Sequence, residues 1–534
     1  MSSHRTVVNT PDAGRSAFLV AAGILLSRAA GLIRDRVFAH YFGNAAAADA
    51  FRAAFRIPNL LQNLFGEGVL SASFIPVYAR LLAHEDSAEA GRVAGAVVTL
   101  LALVVSLLVL TGVLTTPYLI DGIVPGFTGE KRDLTIRLVK ILFPGAGLLV
   151  FSAWCLGVLN SHGRFFMSYA APVLWNAAMI ATLFGFGSRM SQFPLAATLA
   201  WGSVAGSALQ VSIQLPSVLR LVKHLRLSLH VAVPGVRTVV RNFIPVFIGR
   251  GVVQVSAYVD ALLASFLPTG AVAALSYAQT LYILPVSLFG MSVSAAELPA
   301  MSSARGNEQE VAAYLRQRLD AGLRQVAFFV IPSAIAFLAL GDVIAAAIYQ
   351  SGRFTYDDAL YVWGILAGAA IGLLASTLGR LYASAYYALC DTRTPLYFAV
   401  VRIALGTGLG YLCAIPLPTA LGLDARWGVA GLTFASSLAG WVELALLRGT
   451  LNRRIGRTGL PAALVAKLWG AAVTGSVATW LVKMVVGPQH PILAAVPILI
   501  TYGFVYFGLS IWWKVPESQA IIGRLAGVVR QTMD

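Results

Sequence analysis

Fourteen apolar stretches, each long enough to cross a bilayer as a helix, follow one another along this chain with short loops between them. They lie near residues 16–34, 50–79, 92–116, 134–159, 168–187, 193–221, 241–267, 271–299, 321–350, 359–389, 395–415, 426–447, 460–486 and 491–513. A helix of about 20 apolar residues spans the roughly 30 Å of hydrocarbon. Composition agrees: 58% of the 534 residues are hydrophobic and 12% charged, against about 25% charged in soluble domains. The expected fold class is an all-α polytopic membrane protein of about 14 transmembrane helices. The longest polar segments, around 220–241, 303–324 and 448–459, are too short for a separate soluble domain.

The net charge of +16 would suggest nucleic acid for a soluble protein. Here the reading is that Lys and Arg gather in short cytoplasmic loops, so no nucleic-acid partner is expected. The loop after the sixth stretch holds Arg220, Lys223, Arg226, Arg237 and Arg241 without an acid. The loop after the twelfth holds Arg448, Arg453, Arg454 and Arg457, again without an acid. Pro268 and Thr269, after the seventh stretch, carry no charge. This alternation places both termini in the cytoplasm and favours an even number of spans. The first apolar stretch runs past Arg28 without a clear cleavage site and reads as a retained helix. Cys155, Cys390 and Cys413 form neither a disulfide framework nor a metal pattern. There is no Walker A sequence, HExxH or CxxC, so no cofactor, metal or enzymatic chemistry is expected.

An internal repeat is visible. Leu64-Phe65-Gly66 with Val69 matches Leu288-Phe289-Gly290 with Val293, and Pro76 and Pro299 close the two segments. Pro125-Gly126-Phe127-Thr128 echoes Ser351-Gly352-Arg353-Phe354-Thr355. Six spans separate the copies, so the repeats are expected to be parallel, two six-helix lobes around a central cavity plus two C-terminal helices. The boundaries expected are 1–225 for the N-lobe, 226–450 for the C-lobe, and 451–534 for the C-terminal helix pair and a cytoplasmic tail.

Charges inside the apolar stretches mark the site. A charge at the bilayer centre costs roughly 3 kcal/mol on insertion scales, and it is tolerated facing a watery cavity or paired with another charge. Arg52, Arg56, Asn59, Asn63 and Glu67 follow one helical stripe in the second stretch, since eleven residues from Arg56 to Glu67 are about three turns. Pro58 is expected to kink or break that helix. The alternative for Arg52 is snorkelling at a helix end. Arg28 and Asp35 share a face in the first stretch, flanked by Arg34 and Arg36, and Asp49 opens the second. Arg34-Asp35-Arg36 also reads as an interfacial cluster, whereas Arg28 lies deeper, where its guanidinium suits phosphate oxygens. Arg250, Gln254 and Asp260 lie in the seventh stretch, as a cavity lining or a buried Arg–Asp pair. Asp391-Thr392-Arg393-Thr394-Pro395 reads as a turn element.

These residues carry a resemblance. Ser27-Arg28-Ala29-Ala30-Gly31-Leu32-Ile33-Arg34-Asp35, Phe42-Gly43, Asp49-Ala50-Phe51, Phe55-Arg56-Ile57-Pro58-Asn59-Leu60-Leu61, Gly66-Glu67-Gly68 and Phe74-Ile75-Pro76 resemble the MurJ (MviN) family. The likeness is densest over about residues 20–80 and extends to most of the chain. It implies a fold similar to the multidrug/oligosaccharidyl-lipid/polysaccharide exporter superfamily, with residues 460–513 forming a groove for a polyprenyl tail. It carries cavity charges over to Arg28, Arg34, Asp35, Asp49 and Glu67, with Ser27 alongside. Two positions depart from the family. Gln62, followed by Asn63, stands where relatives often have arginine, and Gln279-Thr280 stand where many have a second-lobe arginine. Arg250 is a candidate replacement. Some relatives bind sodium near an acid matched by Asp260, and here Arg402 is expected to neutralise that acid, so no sodium requirement is expected.

The implied substrate is lipid II, a disaccharide-pentapeptide on a pyrophosphate with a polyprenyl chain. Arg28, Arg34, Arg56 and Arg250 would offset the pyrophosphate, and Asn59, Asn63 and Glu67 would bond sugar or peptide or pair with the arginines. Rocking lobes would move the head, and each charge moved is worth about 2.3 kcal/mol per 100 mV of membrane potential. Membrane lipids and other cell-wall synthesis proteins are the further candidate partners, and a bacterial cytoplasmic (inner) membrane the location. The alternatives are a flippase for another polyprenyl-linked glycan, a cation-coupled small-molecule exporter, which calls for an acid-rich cavity, a membrane enzyme of cell-wall polymerisation, and a scaffold that tolerates loss of these charges.

Overall fold

The structure, a computed structural model, describes residues 12–229, 233–487 and 490–523, and the side chains of 12–21, Glu67, 248–253 and 255–257 lie outside the description. The chain forms helices throughout, in two compact units divided between Ala261 and Leu262. The helices are α1 (Asp12–Phe42), α2 (Ala46–Phe65), α3 (Glu67–Ser73), α4 (Ile75–Ala83), α5 (Ser87–Ile123), α6 (Gly129–Ser161), α7 (Phe165–Phe186), α8 (Gln192–Leu221) and α9 (Pro234–Ser265). They continue with α10 (Ala271–Pro285), α11 (Ser292–Ser302), α12 (Glu308–Tyr349), α13 (Tyr356–Ala370), α14 (Leu373–Ala388), α15 (Arg393–Ala414), α16 (Pro416–Ala420), α17 (Gly428–Ile455), α18 (Ala462–Val486) and α19 (Pro491–Trp512).

Each of the fourteen apolar stretches coincides with one helix or a consecutive set. Among the described residues nine helices are long and apolar enough to cross a membrane, ten if α13 and α14, bent by 42° at their junction, count as one span. The stretches outside that count are the first, second, sixth and seventh. Their helices are long, but α1, α2 and α9 carry the charges singled out above and α8 is rich in Gln, Ser and Gly.

In the first unit α6 packs on α2 and α8, and α7 packs on α1 and α8. A core of Phe65, Leu70, Phe74, Tyr78, Trp154 and Leu159 knits α2, α3, α4 and α6. The unit takes in most of α9, and its boundary in sequence falls inside this helix. Phe243 and Phe247 of α9 lie 5.6 and 5.3 Å from Phe65, and those ring contacts tie α9 to the first unit. The repeat has a local structural meaning. Gly66 separates α2 from α3, and Gly290 lies in a π-helical turn, Val286–Met291, between α10 and α11. Phe127 and Phe354, the aromatic residues of the other echo, are both buried.

In the second unit α12 is the hub, packed by α13, α14, α18 and α19. Pro332 interrupts its hydrogen bonding by leaving the Phe328 carbonyl without its usual partner four residues on. The Tyr506 hydroxyl of α19 donates to that carbonyl at 2.6 Å, and the Tyr502 hydroxyl donates to Pro332 O at 2.7 Å. Lys483 of α18 pairs with the buried Asp342 of α12. The C-terminal hairpin is thus docked by polar contacts, one of them on the acceptor that a proline freed.

Candidate functional site

The loop Gly43–Ala45 turns the chain between α1 and α2, with Gly43 at φ +57°, so residues 17 apart become neighbours. Asp35 of α1, 3% exposed, accepts from Arg34 Nη2 at 3.0 Å, Arg34 Nε at 3.3 Å and Arg52 Nη2 at 3.1 Å. Arg34 Nη1 donates to Asn176 Oδ1 of α7 at 3.1 Å, and Asn176 Nδ2 donates to Pro172 O at 3.0 Å. Two aromatic faces complete the cradle. The Arg34 guanidinium lies 4.9 Å from the Trp175 ring and that of Arg52 lies 4.5 Å from the Phe38 ring, a favourable geometry for a desolvated cation. Trp175 is itself anchored, its Nε1 donating to Ser203 O and Oγ at 3.1 and 3.2 Å. Phe38, Phe51, Phe55 and Trp175 make a continuous row of ring contacts. Two guanidinia against one carboxylate leave the cluster with one excess positive charge.

The other expected residues distribute around this centre. Asp49 is fully buried and paired with Lys131 Nζ of α6 at 2.6 Å, and that ammonium lies 3.9 Å from the Phe127 ring. Arg56 is partly buried, its carbonyl accepts from the Tyr258 hydroxyl of α9 at 2.9 Å, and its charge interacts with Asp260. Asn63 Nδ2 donates to Gln254 Oε1 at 3.3 Å. Asn59 is partly buried on the same helix, and Arg28 is exposed two turns before Asp35.

The stripe from Arg52 to Glu67 is not one helix. α2 runs unbroken through Pro58 and ends at Phe65, so the interruption falls eight residues later than the proline suggested. Gly66 adopts φ −86°, ψ −155°, and a Cβ there would stand 2.1 Å from the Gln62 carbonyl oxygen. Glu67 therefore begins a separate helix, α3, and its side chain lies outside the described residues, as does that of Arg250. Arg402 forms its ion pair with Glu443 of α17, Nε to Oε2 at 3.0 Å, where Asp260 was the expected partner. Asp391 is the turn element it was read as. It accepts from the backbone of Arg393 and Thr394 and from the Thr394 hydroxyl, and pairs with Arg454 at 2.7 Å.

Three functional candidates escaped the sequence reading. Lys131 lies in the first turn of α6, and nothing in the sequence singled it out. Trp175 and Asn176 sit in an otherwise apolar helix, and the single amide there was the available signal. Arg52 was seen, but nothing in the sequence distinguished snorkelling from a bond to Asp35.

A family model described as lipid II flippase MurJ matches residues 38–500. The probable lipid II flippase MurJ of Bdellovibrio bacteriovorus is 31% identical over 453 residues, 82% of this chain and 82% of its own. Among solved structures, a lipid II flippase MurJ in an inward closed conformation matches 93% of this chain and 99% of its own with a TM-score of 0.75 at 24% identity. An inward-facing multidrug resistance MATE family transporter of the MOP superfamily matches 82% of this chain and 98% of its own, with a TM-score of 0.63 at 16% identity. At these identities the structural likeness is one of fold. The family model over most of the length and the 31% identical relative decide the assignment: this chain belongs to the MurJ family of lipid II flippases.

Proposed function

We propose that this chain is a transporter that moves lipid II from the cytoplasmic to the outer leaflet of the bacterial inner membrane by alternating access. The observation that carries the reading is the Arg34–Asp35–Arg52 cluster, a cationic centre with one excess charge set among apolar helices. A guanidinium presents paired N–H donors in a plane that matches phosphate oxygens. Arg34 is held by Asp35, Asn176 and the Trp175 face, so its fork is oriented before any substrate arrives. The incoming pyrophosphate would compete with Asp35 for these donors, and Asp35 would take them back on release. Arg28, Arg56, Asn59, Asn63 and Glu67 supply further charge and hydrogen bonds to the head, with Asp49 buried against Lys131 to hold α2 on α6. The polyprenyl chain remains in lipid or along the C-terminal pair. An N-lobe, a C-lobe and that pair divide the work, with both termini in the cytoplasm, and other cell-wall synthesis proteins are candidate neighbours.

The test is complementation in cells depleted of their own lipid II flippase. Wild type should rescue growth, while Arg34→Ala, Asp35→Ala and Arg28→Ala, present in the membrane at normal levels, should not. Failure of a well-expressed wild type would redirect the reading to another polyprenyl-linked glycan. Rescue by every variant would remove the site.

A further inference from the structure

Arg380 of α14 and Arg402 of α15 stand eleven residues on either side of Asp391, in the turn that joins the two helices. Arg380 lies eight residues before the end of α14 and Arg402 nine residues after the start of α15, so at 1.5 Å per residue they stand roughly 12 and 14 Å from those helix ends, a little under half the thickness of a hydrocarbon core. This is too deep to be read as two side chains reaching for the interface. α17 packs against both helices and supplies Glu443. Arg402 donates to it at 3.0 Å, and both arginines act electrostatically on its carboxylate. The same two arginines act on the hydroxyl of Tyr282 on α10, which shares a 2.8 Å hydrogen bond with Ser376 of α14. Arg402 is paired with Glu443 and Tyr282 with Ser376, while Arg380, exposed on α14, is near enough to act on both groups, so two guanidinia against one carboxylate carry one positive charge in excess.

The bland explanation is an ion pair that glues α15 to α17. Two observations weigh against it. The matching helices of the first unit, six spans earlier, are joined by neutral bonds. Ser152 of α6 bonds Gln214 and Gln210 of α8 at 2.7 and 2.8 Å, and Trp175 of α7 bonds Ser203 of α8. Packing of this kind therefore needs no charge. Arg402 also lies about 140° round α15 from Tyr397, the most exposed apolar side chain of that helix, and about 60° from the less exposed Leu405, at ~100° per residue. Ionisable residues at such depth mark substrate pathways by default.

We propose that Arg380 and Arg402 form a second oxyanion-binding subsite for the head of the lipid-linked precursor, with Glu443 as a built-in counter-ion that the substrate displaces. The proposal rests on the flippase reading and extends it to the second unit. The ligand is a phosphate or carboxylate oxygen pair, which a guanidinium takes in bidentate fashion. Glu443 keeps Arg402 neutralised between cycles and returns to it on release, so the subsite is open to an anion without being a permanent trap.

The experiment is binding to the full-length chain in nanodiscs, with polyprenyl diphosphate in one arm and the water-soluble glycan-peptide in the other. The variants are Arg380→Gln, Glu443→Gln and the double Arg402→Gln/Glu443→Gln. Arg380→Gln and the double variant should each weaken oxyanion binding about tenfold or more, the loss of one charge-assisted contact, with melting temperatures close to wild type. Glu443→Gln should tighten binding by a similar factor and slow release. Loss confined to the diphosphate arm would assign the subsite to the diphosphate, and loss confined to the other arm to a peptide carboxylate. Unchanged binding in all three variants while wild type binds would overturn the subsite and leave the flippase reading intact. A lowered melting temperature of the double variant with wild-type affinity would reduce the pair to glue. Absence of binding by wild type would sink both readings.

Discussion

Asp35→Asn is the most informative single change, because it removes one negative charge that two cations share and little else. The carboxylate is 5% exposed at its side chain, and Arg34 and Arg52 are 18% and 14% exposed. Removing one partner of a buried pair costs roughly 3–5 kcal/mol. These exposures call for the low end, about 3 kcal/mol, because partial solvent contact screens the stranded guanidinia. The asparagine oxygen keeps one hydrogen bond, worth about 1 kcal/mol, so the net expected loss is roughly 2 kcal/mol. The double variant Arg34→Gln/Asp35→Asn removes a cation together with the anion. Its cost should fall below the sum of the singles by about 1.5 kcal/mol or more, the coupling of a charge-assisted contact. Function should change in the opposite direction. The cluster rises from one excess charge to two, so lipid II binding should tighten while turnover falls. Denaturant unfolding in detergent and equilibrium binding of lipid II measure the two effects. Additive singles, or an Asp35→Asn stability within about 0.5 kcal/mol of wild type, would refute the claim that the three residues act as one unit.

Three further outcomes are expected. Gly66→Ala places a methyl group 2.1 Å from the Gln62 carbonyl oxygen, so it should cost about 1–3 kcal/mol as an overpacked contact, and a wild-type melt would deny the break at Gly66 any structural demand. Tyr506→Phe should destabilise the chain by about 1–3 kcal/mol, because the Phe328 carbonyl freed by Pro332 loses its donor. Limited proteolysis should then release the C-terminal hairpin earlier than in wild type. Asp391 is held down to a pKa of about 2, first by the Thr394 backbone N–H and then by the Thr394 hydroxyl and Arg454. A carboxylate depressed in the folded state stabilises above its ordinary pKa and loses that contribution as pH falls towards 2. Wild type should therefore out-melt Asp391→Asn at neutral pH, with the gap narrowing below about pH 4; a gap that persists at pH 2 would contradict the assignment.

What was legible from sequence follows from the range of the forces involved. Helical stretches announce themselves locally, and so do charges in or beside an apolar run, such as Arg34, Asp35 and Asp49, but their depth does not: Arg34-Asp35-Arg36 also reads as an interfacial cluster, and Arg28, read as the deeper residue, is exposed. The break between α2 and α3 was half visible, since Leu64-Phe65-Gly66 recurs as Leu288-Phe289-Gly290, but a glycine does not say whether it permits a bend or merely close packing. Partners were illegible. Asp49 finds Lys131 at 82 residues' separation and Arg402 finds Glu443 across α15 and α17. Those choices depend on how α2 packs on α6 and α15 on α17. The ring contact of Phe65 with Phe243 that ties α9 to the first unit is equally non-local.

The pairings change how the fixed charge of this protein should be counted. A sequence view adds up arginines and finds a strongly cationic cavity. The structure pairs Asp49 with Lys131 and sets Asp260 against Arg56, while Arg34 and Arg52 share Asp35. In the second unit Arg380 and Arg402 both act on Glu443. A pyrophosphate linking lipid and sugar brings one negative charge per phosphate. On the proposed reading, a weakly cationic cluster with its own displaceable carboxylate binds an anion without holding it, and a transport path works only if binding is weak enough at each site for the substrate to leave. A single site with two uncompensated arginines would bind more tightly and turn over more slowly. The carboxylates, not the arginines, then set the exit rate, and combining Asp35→Asn with Glu443→Gln should give a chain that holds lipid II more tightly than wild type and flips it least of all.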